Sequence, residues 1–157
     1  MTLIPNTQTL VMFAHPLCPC TQASVSELER VLVHAPSSTQ CRILFVHPGR
    51  EQPGWGRSDL WDRAASIPGA IVESDVLGIE ARRFHVGTSG HVLLYDASGM
   101  LLFSGGITGL RAHEGDNFGK TALLDRLFGR VHEFEQAEVF GCPLFEPAGL
   151  PAQMPQS

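Results

Sequence analysis

Charged residues and cysteines are scarce in this sequence, and it has no long hydrophobic run. Charged residues make up 17% of the 157 positions, compared with about 25% in an average domain. Hydrophobic residues make up 43%, so the chain lacks the low hydrophobicity and high charge that characterise intrinsic disorder. No apolar run reaches the roughly 20 residues that a membrane-spanning helix needs. A single folded domain accounts for a chain of this length.

Positive charge is especially scarce. The chain has 11 Lys and Arg against 16 Asp and Glu, which gives a formal net charge of −5. Lys120 is the only lysine. Because surfaces that bind nucleic acids carry clustered positive charge, we expect no nucleic-acid partner for this protein.

The first nine residues lack the features of a secretory signal. They contain neither a positively charged start nor the apolar stretch of roughly 7–15 residues that follows it in signal peptides. Two origins are compatible with this observation. The chain either begins as a cytosolic protein does, or it has lost a membrane anchor.

The few cysteines are unevenly distributed. They are Cys18, Cys20, Cys41 and Cys142, a set too small and too irregular for a disulfide-stapled scaffold. Cys18 and Cys20 are separated only by Pro19, and they follow closely on His15 and Pro16. Two prolines in such a short segment exclude a continued central strand. We therefore interpret this cluster as a turn that holds reactive side chains.

Hydrophobic periodicity and turn residues predict an α/β fold. Strands are predicted at residues 8–14, 41–47, 70–73, 91–96 and 100–104. Helices are predicted at residues 21–33, 58–65, 75–84 and 117–128. The alternation implies a central mixed sheet with helices on both faces, and the late hairpin adds an antiparallel edge. We expect one domain over residues 1–146 and a flexible proline-rich tail over residues 147–157.

Polar residues ahead of the apolar periodicity mark the helix starts. Ser58 and Asp75 fit the N-cap positions of the second and third helices, and either Asp116 or Asn117 fits that of the fourth. For the first helix, Ser24 and Glu27 match a capping box. The alternative is a start one turn earlier, at the cysteines.

The position of Cys18 and Cys20 favours reactive thiols. They follow a strand and lie close to a helix start, where unpaired N–H groups and the helix dipole stabilise a thiolate. A thiolate attacks disulfides or binds soft metals, and a second sulfur nearby can capture the first as a disulfide or share its metal. The structural alternative is a pair of small hydrophobic residues packed at a turn.

The segment around these cysteines resembles a known active site. Residues 13–21, Phe-Ala-His-Pro-Leu-Cys-Pro-Cys-Thr, are similar to the thioredoxin turn Trp-Cys-Gly-Pro-Cys with one residue fewer between the cysteines. Residues 71–99 resemble the peroxiredoxin/TlpA branch, in which an acidic residue opens a helix that ends in an aromatic residue. Here those residues are Asp75 and Phe84. The resemblance implies a thioredoxin-like fold.

A narrower resemblance is to the RedB-like group of bacterial thioredoxin-fold proteins. It is carried by residues 15–21, 89–96 with 103–108, 113–117 and 140–145. The similarity covers about residues 8–146. It implies a periplasmic or otherwise extracytoplasmic location and a membrane anchor in a full-length form.

Two features depart from the thioredoxin pattern. Thioredoxins keep a cis-proline that faces the cysteines, and the alignment places Gly90 at that position. The loss of this proline alters the groove for a substrate peptide and leaves room for a ligand beside the sulfurs. In addition, a single residue, Pro19, separates the two cysteines. Both departures argue against a general thioredoxin-like reductase.

The resemblance also predicts which residues line the active face beside the sulfurs. They are His15, Pro16, Pro19, Ser89, Gly90, His91, His113 and Glu114. His15 could stabilise a thiolate when protonated or join a metal site, and His113 with Glu114 could relay a proton or bind a ligand. The structural alternatives are a turn histidine for His15 and a hydrogen-bonded strand histidine for His91.

The leading functional hypothesis is thiol–disulfide exchange without a dissociable cofactor. By analogy with the family's leading cysteine, Cys18 is expected to be the more exposed thiol and the attacking nucleophile. Cys20 or Cys142 would then resolve the mixed disulfide. The expected partner is a protein or small-molecule thiol or disulfide. Cys41 is expected to be an inert buried thiol.

Two other interpretations remain open. The Sco copper-delivery proteins, also thioredoxin-like, pair two cysteines with a histidine, so Cys18, Cys20 and His91 could form a Cu(I) site. In that case Cys142 could add a third sulfur. The third interpretation is an interaction module that keeps the fold but whose cysteines neither exchange disulfides nor bind a metal.

Overall fold

The computed structural model describes residues 5–47, 49, 58–131 and 135–145. Its strands are β1 (Thr9–Ala14), β2 (Gln40–His47), β3 (Ala70–Val76), β4 (His91–Tyr95) and β5 (Leu101–Gly105). Its helices are α1 (Pro19–His34), α2 (Asp59–Ala65), α3 (Ile79–Arg83) and α4 (Phe118–Leu127). This order along the chain is the one that the sequence predicts. The predicted tail at residues 147–157 lies outside the described residues.

The strands form one mixed sheet in the order β3-β2-β1-β4-β5. β1 and β2 are parallel, as are β2 and β3, whereas β4 pairs antiparallel with both β1 and β5. All six residues of the central β1 are buried, as expected for a strand covered on both faces. The antiparallel edge predicted from the late hairpin is confirmed.

Helices cover both faces of the sheet. On one face, α1, α2 and α4 pack their apolar residues against Leu10, Met12 and Phe103. On the other face, α3 and the segment near Leu144 pack against alternate strand residues such as Val11 and Phe13. The period-two alternation of strand side chains explains this division. None of the helices in the described part of the chain combines the length and hydrophobicity needed to cross a bilayer.

Helix α1 begins at the cysteines. Cys18 occupies the N-cap position and Pro19 the first helical position, where a missing N–H costs no helical hydrogen bond. The earlier of the two predicted starts is therefore confirmed. The capping box at Ser24 and Glu27 is wrong, because both residues are buried inside the helix.

The other predicted caps accept backbone hydrogen bonds. Ser58 accepts one from the N–H of Trp61 at 3.2 Å, and Asn117 accepts one from the N–H of Lys120 at 2.9 Å. The prediction of Asp75 as the N-cap of the third helix is wrong, because Gly78 occupies that position. Asp75 lies near the end of β3, and its carboxylate accepts the N–H groups of two residues in the first turn of α3. α3 is shorter than predicted because the chain first turns at residues 77 and 78, both with positive φ.

Candidate active site

Three of the four cysteines converge at the N-terminus of α1. The Sγ atoms of Cys18, Cys20 and Cys142 all lie within 4.8 Å of one another. Those of Cys18 and Cys142 are 2.9 Å apart, and both thiols are free. A disulfide bond is about 2.05 Å long. The nearest sulfur contact at this site therefore joins residues from opposite ends of the domain.

Backbone pairing brings Cys142 to this position. The carbonyl of Cys142 accepts the N–H of Ser89 at 2.8 Å, and the N–H of Leu144 donates to the carbonyl of Gly87 at 2.9 Å. Leu144 is fully buried, and Phe145 packs against the same core cluster. We call residues 139–145 the C-terminal strap. Its hydrogen bonds and buried side chains hold Cys142 against the start of α1.

A glycine permits the close approach of the strap. A Cβ atom at Gly141 would lie 1.8 Å from the carbonyl oxygen of Ser89, well inside van der Waals contact. Only glycine therefore fits at position 141 without moving the strap.

Hydrogen bonds lower the pKa of the Cys18 thiol. Burial raises its pKa, but hydrogen bonds with Cys142 and Thr21 lower it, and the net pKa of Cys18 lies below the ordinary 9.0. The N-terminus of α1 adds a favourable field for the thiolate. The hydrogen bonds and the helix N-terminus therefore both favour the thiolate form of Cys18.

The pKa of Cys142 is shifted in the opposite direction, above its ordinary value. Burial and the adjacent Cys18 raise the pKa of the Cys142 thiol to about 12, although the positive charge of Arg111 lowers it in part. The arrangement therefore favours a thiolate on Cys18 over one on Cys142. Sequence reasoning missed Thr21 and Arg111, although Thr21 directly follows the cysteine pair.

The exposure of the two α1 cysteines differs from the expectation. Cys18 is 1% exposed, whereas Cys20 and Cys142 are partly exposed. The expectation that Cys18 is the more exposed thiol is therefore wrong. The physical reason is the strap, which lies against Cys18 and comes from a distant part of the chain.

A buried set of hydrogen bonds shapes the turn before Cys18. The N–H of His15 donates to Ser89 Oγ at 2.7 Å, and Ser89 Oγ also contacts Thr21 Oγ1. His15 Nδ1 accepts the N–H of Leu17 at 3.2 Å. Pro16 is buried beside His15, and Pro19 is exposed. Of the residues predicted on the active face, His15 and Ser89 thus serve to connect the cysteine turn to the loop before β4.

Gly90 does not leave an open space. The described residues contain no cis peptide bond, and Gly90 has a φ of +86°. Its N–H donates to the carbonyl of Phe13 at 2.8 Å, and an added Cβ would lie 2.6 Å from Ser24 Oγ. The room predicted beside the sulfurs at this position is thus filled by α1.

His91 lies apart from the sulfur cluster. It is half-buried on β4, its Nε2 is 2.8 Å from Ser104 Oγ, and burial lowers its pKa. Within the described ranges, the group of potential metal ligands at this site consists of the three cysteines and does not include His91. Its role as a ligand stays a prediction.

His113 and Glu114 precede α4, and Glu114 contacts α1 at Arg30, away from the cysteines. Both are exposed, and the Glu114 carboxylate pairs with the Arg30 guanidinium at 2.7 Å. A hydrogen bond with Ser26, together with the charge of Arg30, holds the pKa of Glu114 below its usual value. Arg30 is ten residues beyond Cys20, which corresponds to about 15 Å along a helix. The structure therefore does not bring this pair to the sulfurs.

The fourth cysteine takes no part in the site. Cys41 is fully buried in β2, and burial raises the pKa of its thiol to about 12. The expectation of a buried, inert thiol agrees with this position.

The chain is similar to several solved structures. No protein-family model matches its sequence, and no curated protein does. A hypothetical protein from Sinorhizobium meliloti 1021 is 18% identical with a TM-score of 0.70, and the match covers 88% of this chain and 79% of that one.

Two further similar structures carry informative names. A secreted Mycobacterium tuberculosis disulfide oxidoreductase, homologous to E. coli DsbE, is 15% identical with a TM-score of 0.55, over 80% of this chain and 83% of that one. An exposed lipoprotein thioredoxin from Streptococcus pneumoniae is 17% identical with a TM-score of 0.54, over 79% and 85%. At these identities the similarities establish a thioredoxin-like fold and leave the activity to the site itself.

Proposed function

We propose that this protein is a thiol–disulfide oxidoreductase whose reacting pair is Cys18 and Cys142. The observation that carries the proposal is the 2.9 Å separation of the two sulfur atoms. The lowered pKa of Cys18 adds to it, because the thiolate is the nucleophile and the leaving group in disulfide exchange. The thioredoxin-like fold is compatible with this chemistry.

The exchange begins with the oxidised protein. A partner thiolate attacks Sγ of Cys142 in a Cys18–Cys142 disulfide, a new S–S bond forms, and the electron pair of the broken bond leaves on Cys18. A second thiolate of the partner then attacks the mixed disulfide. Cys142 leaves as a thiolate and takes up a proton. The partner dithiol is oxidised and the protein disulfide is reduced by two electrons; the reverse sequence reduces a partner disulfide.

Exposure and acidity determine which sulfur an incoming thiolate attacks and which sulfur leaves. Cys142 is partly exposed and Cys18 is 1% exposed, so an incoming thiolate reaches Cys142 first. Cys18 has the lower pKa of the two, and a thiol of lower pKa leaves faster. This division of roles, which applies to the oxidised protein, differs from the expectation that Cys18 attacks first.

Cys20 is assigned an auxiliary role. Its sulfur belongs to the same cluster and is partly exposed, so it can attack Cys18 in the disulfide and release Cys142. The resulting Cys18–Cys20 bridge would close a small ring across Pro19. Such a ring is strained compared with a bridge between separate segments.

The location and partner are also part of the proposal. We infer that the protein is a bacterial member of the RedB-like group and acts outside the cytoplasm. Its proposed partner is a protein or small-molecule thiol or disulfide. Similar structures include one named as secreted and one named as an exposed lipoprotein. No dissociable cofactor is needed for the exchange.

The decisive experiment is a disulfide map of the full chain. The protein is oxidised with glutathione disulfide, quenched with acid, alkylated before any reductant and analysed by peptide mass spectrometry. We expect a Cys18–Cys142 disulfide that forms again after reduction, with Cys41 alkylated only after unfolding. Cys41→Ser is the matched control and should give the same map. Four free thiols after oxidation would overturn the proposal and favour an interaction module. A Cys18–Cys20 bridge alone would overturn the assigned pair.

A further inference from the structure

We propose that the reduced protein binds one Cu(I) ion through the sulfurs of Cys18, Cys20 and Cys142. This inference does not depend on the redox function, because a protein that exchanges no disulfides could still hold the ion. It also differs from the histidine-containing site that the sequence predicts, since Cys142 takes the place of His91.

The spacing of the sulfurs fits one metal ion. Thiolate–metal bonds such as zinc–sulfur are about 2.3 Å long, so three sulfurs around one ion in a plane lie about 4 Å apart. The three Sγ atoms here are within 4.8 Å of one another. Cys142 and Cys18, at 2.9 Å, need to separate by about 1 Å, which a small change in side-chain torsion supplies.

The backbone holds these sulfurs in place before any ion arrives. Cys18 and Cys20 are fixed by the first turn of α1. Cys142 is fixed by the hydrogen bonds of the strap to Ser89 and Gly87. Preorganised ligands lose little conformational freedom on binding, so the site does not have to be assembled at the expense of chain entropy.

The ligand chemistry selects a soft ion with low coordination number. Thiolates favour Cu(I), zinc and iron–sulfur clusters, and structural zinc sites almost always have four ligands. In the part of the chain that the structure describes, three cysteines form this group and no His, Asp or Glu joins them. Three sulfurs without a fourth ligand therefore favour Cu(I).

The local charge also suits such a complex. Binding of Cu(I) by three thiols releases their protons, so one positive ion is surrounded by three negative sulfurs. The N-terminus of α1 compensates part of this charge. The guanidinium of Arg111 acts favourably on negative charge at Cys142. A Cys18–Cys142 disulfide would remove two of the ligands, so copper binding and oxidation exclude each other.

The test is an anaerobic Cu(I) titration of the full-length reduced chain against bicinchoninate, followed by the absorbance of the copper–chelator complex. We expect one Cu(I) per chain and an X-ray absorption spectrum with three sulfur neighbours. Cys20→Ser and Cys142→Ser should each weaken binding by more than about 100-fold, because even outer-shell changes cost 10–100-fold.

Two control variants make the test specific. Cys41→Ser and His91→Ala should bind Cu(I) as the wild type does. Failure to compete for Cu(I), or unchanged affinity in both Cys20→Ser and Cys142→Ser, would overturn the proposal. So would a loss in His91→Ala as large as that in Cys142→Ser. The circular dichroism of each variant verifies that it folds, and the disulfide map described above reports on redox function separately.

Discussion

Gly141 passes so close to the carbonyl oxygen of Ser89 that a Cβ at position 141 would lie 1.8 Å from it. This contact lies next to the hydrogen bond that fixes Cys142. The reacting geometry of the proposed Cys18–Cys142 pair thus depends on the absence of a side chain one residue away. This requirement for glycine at position 141 comes from the packing of the strap and not from the cysteines themselves.

Gly141→Ala should therefore slow disulfide formation between Cys18 and Cys142. We expect the rate of oxidation by glutathione disulfide to fall by about 10–100-fold, since a displacement of about 1 Å has effects of this size on reacting groups. Rapid acid quench followed by mass spectrometry measures the rate. Gly87→Ala is the matched control, because a Cβ there meets nothing within 4 Å. Equal rates in both variants would contradict the role of Gly141.

Cys142→Ala should make Cys18 reactive only at higher pH. In the wild type, burial raises the pKa of Cys18 but hydrogen bonds with Cys142 and Thr21 bring it below 9.0. Reactivity toward iodoacetamide rises as pH increases through this pKa. Loss of the Cys142 hydrogen bond should raise the pKa of Cys18 and move the reactivity curve to higher pH. Alkylation of Cys18, followed by peptide mass spectrometry, measures the curve.

The control for this experiment is Cys41→Ser, whose curve for Cys18 should match that of the wild type. A Cys142→Ala curve that stays in place or moves to lower pH would show that Cys142 does not stabilise the Cys18 thiolate.

Oxidation should stabilise the fold. A Cys18–Cys142 disulfide joins residues 124 positions apart, and cross-linking a loop of that length contributes up to about 5 kcal/mol through the unfolded state. A Cys18–Cys20 bridge would restrict almost none of the unfolded chain. Urea unfolding of the oxidised and reduced protein measures the difference. Nearly equal free energies of unfolding would indicate that the bridge joins neighbouring cysteines.

Glu27→Ala should destabilise the protein strongly. The Glu27 carboxylate is fully buried and accepts hydrogen bonds from Lys120 at 2.9 Å and from the N–H of Gly115 at 2.7 Å. Arg30 also pairs with it, at 2.6 Å. Lys120 keeps a second partner in Asp116, but the N–H of Gly115 loses its acceptor. Leaving a buried polar group without its partner costs about 1–3 kcal/mol. Urea unfolding gives the change in the free energy of unfolding.

Glu114→Ala is the comparison for Glu27, since both carboxylates pair with Arg30. Glu114 is exposed, so its loss should destabilise the protein much less than the loss of Glu27 does. A similar cost for both variants would mean that burial of Glu27 contributes nothing to the stability of the fold.

Local patterns predicted most of the elements. The apolar run that became β1 and the N-caps at Ser58 and Asn117 are properties of neighbouring residues, so they are visible in the sequence. The third helix was predicted too long because Leu77 adopts a positive φ, which side-chain type does not indicate. The capping box at Ser24 failed because tertiary packing buried both of its residues in α1.

The sequence by itself determined the fold class and the position of Cys18 and Cys20 at the start of a helix, because both depend on local hydrophobic pattern and turn chemistry. Only the tertiary structure decided that Cys142 is the nearest partner of Cys18, that Cys18 is covered, and that His113 and Glu114 lie elsewhere. These relations join segments more than 80 residues apart. They are set by backbone pairing and core packing of the strap, which no local pattern records.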